Sequence, residues 1–257
     1  SAWSKGFRAP NLETLNLSVQ ERFNNNEEDF LRCQTGQVGG TDEADVDACS
    51  TSIITRRLGN GELGAEDSEN LTVGFVIEPS FIEGLSLTLD WGQIEQEGVV
   101  GLFGRDNHLL LDQIMRFNGS SNDAVVRSAA TAQDQQEVDE YNSANGTNLD
   151  AVGSLLYIND QFLNLQPREM QGADIGVVYR IPESDWGSVT IKFNGAYLIK
   201  WEQSASSEVQ SLIAALDANP LITGSVSSET VGSQLQDEGK PRWRANANIT
   251  WEKDQWR

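Results

Sequence analysis

The sequence lacks any long apolar run, and it has few residues of positive charge. No window of its 257 residues supplies the roughly 18 to 20 consecutive apolar residues of a transmembrane helix, so a helical membrane protein is excluded. Lys and Arg number 18 against 39 Asp and Glu, which gives a net charge of −21. Because this charge repels phosphates, nucleic acid is not an expected partner.

Residues for catalysis are also scarce. The single histidine, His108, lies in GRDNHLLLDQ without a nucleophile beside it, so we interpret it as a loop residue, with ligand contact as the lesser alternative. There is no C-x-x-C, H-E-x-x-H or Walker sequence. GNGELG at residues 59–64 matches G-x-G-x-x-G, but polar AEDSEN follows it instead of an apolar helix. The sequence therefore predicts no enzyme, no catalytic residue, no cofactor and no metal.

Alternation of apolar and polar residues is the strongest pattern that is present. It predicts strands in five places, at residues 71–77, 85–91, 173–181, 189–201 and 243–251. The predicted faces place Phe75, Leu87, Ile191 and Ile249 toward lipid. They place Asp90, Lys192 and Asn248 on the opposite face.

The connections between these strands alternate between long and short. The long segments, residues 13–69, 95–169 and 202–239, hold 31 acidic and 8 basic residues, a net charge of −23. Since antiparallel strands put successive connections at opposite ends, all of this excess charge is expected at one end. It predicts neutral or cationic ligands rather than polyanions. The seven tryptophans all lie outside these segments, as in an aromatic girdle at a membrane interface, at Trp3, Trp91, Trp186, Trp201, Trp243, Trp251 and Trp256.

These patterns favour an all-β fold, an antiparallel transmembrane β-barrel with long extracellular loops. About six strands of a larger barrel are expected. The alternative is a secreted β-sandwich that serves as an adhesion or carbohydrate-binding module. A sandwich predicts shorter strands, whereas the pattern at residues 189–201 continues for thirteen.

The opening SAWSKGFRAPNLETL resembles the strand-to-loop signature of TonB-dependent outer-membrane receptors. The match is carried by a continuous run, Gly6, Phe7, Arg8, Ala9, Pro10, Asn11 and Leu12. Later positions also fit the family pattern, namely Gly59, Asn60, Leu63, Glu66 and Ser68. The resemblance implies that residues 1–257 are part of the barrel domain, a C-terminal-half fragment, with the plug domain and remaining strands absent from this sequence.

The same resemblance implies TonB-coupled uptake of a scarce small molecule across the outer membrane of a Gram-negative bacterium. Ferric siderophore, cobalamin and oligosaccharide remain open as ligands. The implied partners are the TonB complex of the inner membrane, the receptor's own plug, and outer-membrane lipid and lipopolysaccharide. Five basic residues are expected to face the lumen and to contact plug or ligand, namely Arg180, Lys192, Lys200, Arg242 and Arg244.

The two cysteines lie in the first long segment. Cys33 and Cys49 are sixteen positions apart, and such receptors pass through the oxidising periplasm, so a disulfide between them is expected. Acidic residues nearby superficially resemble a calcium loop, namely Asp42, Glu43, Asp45 and Asp47. The D-x-D-x-D-G spacing with a closing Glu is missing, so no calcium site is predicted.

Overall fold

The computed structural model describes residues 1–16, 19–37, 46–227, 231–233, 235 and 241–253. The helices are α1 Leu12–Leu15, α2 Phe30–Gly36, α3 Arg105–Phe117, α4 Ala132–Asn145 and α5 Ser207–Ala218. The strands are β1 Ala2–Arg8, β2 Val19–Glu27, β3 Thr51–Leu58, β4 Glu66–Ile77, β5 Leu85–Glu97, β6 Val100–Leu102, β7 Val125–Arg127, β8 Leu155–Asn164, β9 Arg168–Ser184, β10 Gly187–Gln203, β11 Gly232–Ser233 and β12 Trp243–Glu252. No helix among the described residues is long and apolar enough to cross a membrane.

Six strands form one antiparallel sheet, which we call the wall. Its order is β1-β4-β5-β9-β10-β12, and the two-residue β11 also pairs with β10. The number of long strands agrees with the sequence prediction. The strands β9 and β10 have 17 residues each, more than the roughly 9 to 11 that a tilted strand needs to cross a bilayer. They therefore extend beyond the apolar layer.

The register of the wall separates an apolar face from a polar face. On the apolar face, one row of neighbouring side chains consists of Phe75, Leu89 and Ile175, on β4, β5 and β9. Another row consists of Leu85, Tyr179 and Ile191, on β5, β9 and β10. On the polar face, Thr88 lies opposite Gly176, and Asp90 lies opposite Asp174. The sheet is curled with the polar face on its concave side, where a cavity of about 410 Å³ lies. The predicted assignment of Phe75, Leu87, Ile191 and Ile249 to one face, and of Asp90, Lys192 and Asn248 to the other, agrees with this register.

The apolar face of the wall has no second sheet packed against it in the described part of the chain. Phe75 is 62% exposed and Ile249 is 71% exposed. In a β-sandwich, the second sheet would bury these side chains. The fold is therefore a curled barrel sheet, and the β-sandwich alternative is wrong.

The three long segments form a folded subdomain, which we call the cap, made of the described parts of residues 9–65, 98–167 and 204–242. Its sheet has the order β2-β3-β8-β6, with β7 also paired to β8, and β3 runs parallel to β8. The sequence predicted long polar loops here. The cap instead contains five helices and six strands, counting the two-residue β11.

Every buried apolar side chain among the described residues belongs to the cap. One cluster lies between α3, α5 and the cap sheet, and it consists of Phe30, Ile53, Leu109, Leu110, Val125, Ile158, Leu212 and Ile222. A second cluster joins α2 to α4, and it consists of Leu31, Val138, Tyr141, Leu149 and Val152. Full burial of one such side chain stabilises by about 1.5–3 kcal/mol. The cap therefore has its own hydrophobic core, while the wall leaves its apolar side chains exposed on one face.

Candidate functional site

A buried ion-pair network joins the first and second long segments. Arg127 on β7 donates from both terminal nitrogens to Asp29, at 2.6 and 2.9 Å, and from Nε to Asp112 at 3.2 Å. Asp112 also accepts from Arg116 Nε, at 3.0 and 3.1 Å. Burial by itself lowers the pKa of the Arg127 guanidinium, but the two carboxylates raise it above its ordinary value. Arg127 thus stays charged inside the cap.

A second ion pair ties α2 to the start of α4. Arg32 Nη2 donates to Asp134 Oδ1 at 2.7 Å, and Asp134 forms a capping box with Thr131. Burial raises the pKa of Asp134, but the backbone N–H of Thr131, the Arg32 guanidinium and the Thr131 hydroxyl lower it further, so the net pKa lies below the ordinary value. The carboxylate form of Asp134 is therefore the one that the fold stabilises.

Amide side chains connect the third long segment to the other two. Gln113 is fully buried on α3; its Nε2 donates to Gln34 Oε1 at 2.7 Å and to Thr223 Oγ1 at 3.2 Å, and its Oε1 accepts from the Gly224 N–H at 3.0 Å. Buried polar side chains whose donors and acceptors are hydrogen-bonded stabilise the fold and fix the relative positions of the segments that they join. The three segments therefore form one ordered unit above the wall.

The predicted disulfide is present. Cys33 on α2 is bonded to Cys49 in the 3-10 turn Asp47–Cys49. The backbone N–H of Asp29 donates to the Ala48 carbonyl at 2.8 Å beside it. Asp42, Glu43 and Asp45 of the calcium-like sequence lie outside the described residues, as does Trp256.

The family motif lies where the wall meets the cap. Arg8 at the end of β1 donates from Nε and Nη2 to the two carboxylate oxygens of Glu66, both at 2.7 Å. Glu66 also accepts the backbone N–H of Val100, the first residue of β6, at 2.8 Å. The motif then leaves the wall at Ala9 and Pro10, and Asn11 precedes α1, which begins at Leu12. Gly6 lies opposite Ser68 and Phe7 is 80% exposed.

The GNGELG segment is a crossing point of two chain segments. A Cβ on Gly59 would lie 1.4 Å from the Asn16 carbonyl oxygen, so only glycine fits. The Asn60 backbone N–H donates to Thr14 O at 2.8 Å, and its side chain donates to Phe162 O at 2.9 Å. Gly59 thus serves close chain packing, and the segment leads from this crossing toward β4, in agreement with the loop-to-strand entry that the resemblance implied.

Four of the five predicted lumen residues lie on the polar face. Lys192 lies opposite Asn248, and Arg244 lies opposite Ala196, in line with Asp174 and Asp90. Arg180 pairs with Thr190. Arg242 directly precedes β12, and its carbonyl accepts the Leu198 N–H at 2.9 Å, which continues the pairing with β10 and places Arg242 on the face of Arg244. These positions leave contact with plug or ligand as a prediction.

Lys200 is the exception, and the prediction that it faces the lumen is wrong. A β-bulge between Leu198 and Lys200 puts two residues of β10 against one of β9, so Lys200 pairs with Gln171. One extra residue inverts the face of every later side chain. Lys200 therefore lies on the apolar-face side, where its Nζ binds Glu169 at 2.5 Å and Glu202 at 3.2 Å.

Several cavities lie in the cap, and the sequence patterns predict none of them. His108 lies on α3, not in a loop, beside an apolar cavity of about 700 Å³. Its ring packs edge-on against Phe103 at 4.9 Å between centroids. Another cavity of the cap, of about 440 Å³, is lined by Arg22, Thr55 and Arg57 among others. Period-2 alternation in TSIITRRL could have identified β3, but not which strands lie beside it.

A curled antiparallel wall with one apolar face, one polar face and a folded cap at one end defines an outer-membrane β-barrel. The sequence profile described as TonB dependent receptor-like, beta-barrel, matches residues 1–257. The chain therefore belongs to the TonB-dependent receptor β-barrel family. Proteins of this family are receptors and transporters in the outer membrane of Gram-negative bacteria.

Solved structures with similarity to this chain include two siderophore receptors. The siderophore receptor PirA from Acinetobacter baumannii is 13% identical, with 98% of this chain and 24% of that one covered, at a TM-score of 0.46. A G324V mutant of the ferric enterobactin receptor PfeA from Pseudomonas aeruginosa is 16% identical, with 98% and 23% covered, at a TM-score of 0.45. The chain thus spans about a quarter of the length of these receptors. No curated protein matches the sequence.

Proposed function

We propose that this chain is part of a receptor that imports a scarce small molecule across the outer membrane with energy from the TonB complex of the inner membrane. Family membership supports this function. The observation that carries it here is the wall itself, with paired strands, an apolar face and a polar concave face. In hydrocarbon, unpaired backbone groups cost several kcal/mol each, so a paired and closed sheet is needed there.

The polar face is proposed to hold the plug. Asp90 and Asp174 lie directly opposite each other on neighbouring strands, and Arg244 lies two strands further along the same row. Arg180 and Lys192 add positive charge to this face. Basic groups on the lumen wall can pair with carboxylates of a plug, and energised movement of the plug would break those pairs.

The cap is proposed to capture the ligand before it enters the lumen. Its core and its ion pairs order three chain segments into one surface, so ligand binding costs little ordering entropy. Ferric siderophore, cobalamin and oligosaccharide are the candidate ligands.

Uptake by whole cells tests this function. The full-length receptor, expressed in a strain that lacks its own receptor genes, is expected to accumulate one of the three labelled ligand classes. Accumulation is expected to disappear when TonB is deleted, whereas binding at the cell surface is expected to persist. Equal accumulation with and without TonB would indicate a passive pore and contradict the proposal.

A further inference from the structure

The cavity of about 440 Å³ opens between β2, β3 and the first turn of α3. The side chains on the inner face of β3 change from apolar to polar along the strand. Ile53 lies in the core, Thr55 is 6% exposed, and Arg57 is half-buried. Antiparallel pairing places Arg22 opposite Thr55, and parallel pairing places Asp160 beside Arg57. Pairing of three strands thus gathers these side chains at the edge of the core.

Two guanidinium groups face this cavity with unused hydrogen-bond donors. Within the described part of the chain, the side chains of Arg22 and Arg57 make no hydrogen bond or ion pair, although both residues line the cavity. Arg56, the neighbour on the opposite face, donates to Glu21 at 2.9 Å and lies 3.5 Å from the centre of the Tyr157 ring. The outward arginine is therefore satisfied, while the two inward ones are free to bind a ligand.

Neutral donors lie beside these arginines. The Thr55 hydroxyl is buried and has no hydrogen-bond partner among the described residues. The N-terminus of α3 also lines the cavity; its N-cap residue is Gly104, which offers no side-chain cap. The N-terminus of a 13-residue helix carries a partial positive charge, and its first N–H groups have no acceptor within the helix.

The carboxylates that line the cavity already have partners. Asp106 lies 2.8 Å from Arg105, which also lies 2.7 Å from Glu27. Asp160 is buried and accepts the Gly104 N–H at 3.2 Å. A group that enters the cavity therefore meets two unpaired guanidinium groups and a free hydroxyl, whereas Asp106 and Asp160 are each already bound through Oδ1.

We propose that this cavity binds the carboxylate or phosphate group of a small anionic ligand on the guanidinium groups of Arg22 and Arg57 and the hydroxyl of Thr55. Guanidinium groups bind both kinds of anion through paired N–H donors. The proposal rests on the proposed function in one respect, since it takes the bound molecule to be the imported one. The acidic surface of the cap repels large polyanions, whereas a small anion can enter and meet the local donors.

Equilibrium binding to the purified full-length receptor in detergent tests this proposal without any need for TonB. The probes are inorganic phosphate, succinate, and succinamide as the neutral analogue of succinate. We expect saturable binding of phosphate, succinate or both, and none of succinamide. Binding of one anion alone would assign the cavity to that chemical group.

Three single variants separate direct contact from the general electrostatic field. Arg57→Gln is expected to weaken anion binding about tenfold or more, and Thr55→Val about three- to tenfold. Arg56→Gln removes the same charge from the opposite face of the same strand, and it is expected to change binding less than about twofold at 0.15 M salt. Retention of the heat-dependent gel shift would show that each variant is folded.

Several results would overturn the proposal. One is the absence of saturable anion binding to the wild type, and another is an equal loss in the Arg56 and Arg57 variants. Unchanged binding in both Arg57→Gln and the nearly isosteric Thr55→Val would also contradict it. Because TonB-dependent uptake is measured separately in cells, failure of the anion site leaves the import function intact, and failure of uptake leaves the binding result intact.

Discussion

Arg8 and Glu66 are joined by two hydrogen bonds of 2.7 Å, across 58 positions of sequence, at the point where the wall meets the cap. Arg8 is the arginine of the family motif, and Glu66 is the first residue of β4. Glu66 is 6% exposed and also binds the Val100 N–H. One carboxylate thus joins β1, β4 and the start of β6.

Loss of the Arg8 side chain is expected to loosen this junction. Arg8→Met leaves the Glu66 carboxylate with one remaining donor, and we expect a decrease of about 1–3 kcal/mol in the free energy of unfolding. Urea denaturation of the full-length receptor in detergent measures it. Lys5→Met is the matched control, because Lys5 pairs with Glu69 on the same two strands but both side chains are largely exposed. A decrease in the Lys5 variant as large as in the Arg8 variant would contradict this account.

Removal of Arg127 is expected to destabilise the cap more strongly. In Arg127→Met the buried carboxylate of Asp29 loses the guanidinium that pairs with it, and Asp112 keeps only Arg116 of its two arginine partners. Breaking a buried pair in this way costs about 3–5 kcal/mol. Limited proteolysis of the full-length receptor should then cleave the cap while the wall stays resistant. Arg22→Met, which removes a guanidinium without an ion pair, serves as the control and should leave cleavage unchanged.

The Cys33–Cys49 disulfide is expected to stabilise the cap by about 3 kcal/mol, from the closure of a loop of sixteen residues. Comparison of the oxidised and reduced receptor by denaturant unfolding measures this. Detection of two free thiols in the native protein would show that the bond does not form.

Asp134 makes stability depend on pH. Its folded-state pKa lies below the ordinary value, so its contribution is present above that ordinary value and is lost as pH falls through the folded pKa. Asp134→Asn is therefore expected to lower stability by about 1–2 kcal/mol at pH 7 and to approach the wild type in acid. Asp139→Asn, on the same helix, is the control. A deficit in the Asp134 variant that stays constant down to pH 3 would contradict the assignment.

The wall was more predictable from sequence than the cap. A lipid-facing strand must alternate strictly, as in Val189, Ile191 and Phe193, because each side chain has only two environments available. Position 200 shows where prediction from alternation fails. One β-bulge in β10 reverses the alternation, and no residue type at the bulge predicts it.

The cap helices were missed for a different reason. In α4 only a few positions are buried, among them Val138 and Tyr141, so the apolar stripe is too narrow to predict a helix. The capping box of Thr131 and Asp134 was a readable signal for its start. The ion pair of Arg127 with Asp29 joins residues 98 positions apart, and local sequence patterns contain no information on such pairing.

The wall should be intolerant of charge on its apolar face. Ile191→Arg is expected to cost about 2–4 kcal/mol near the bilayer midplane, as measured by unfolding of the receptor from lipid bilayers. Asn194→Arg, on the polar face of the same strand, should cost less. An equal cost at both positions would contradict the assignment of the faces.

A spin-label scan along β10 tests whether this strand is part of a barrel wall with one face toward lipid. Single cysteines at positions 189–203 of the full-length receptor in bilayers would be labelled, and collisions with oxygen and with a water-soluble nickel complex would be measured. Oxygen accessibility is expected to be high at the odd positions from 189 to 197 and low at the even ones. After the bulge the alternation is expected to reverse, so that position 200 lies on the outer face. Uniform access by the nickel complex, or alternation without inversion at the bulge, would contradict the barrel wall described here.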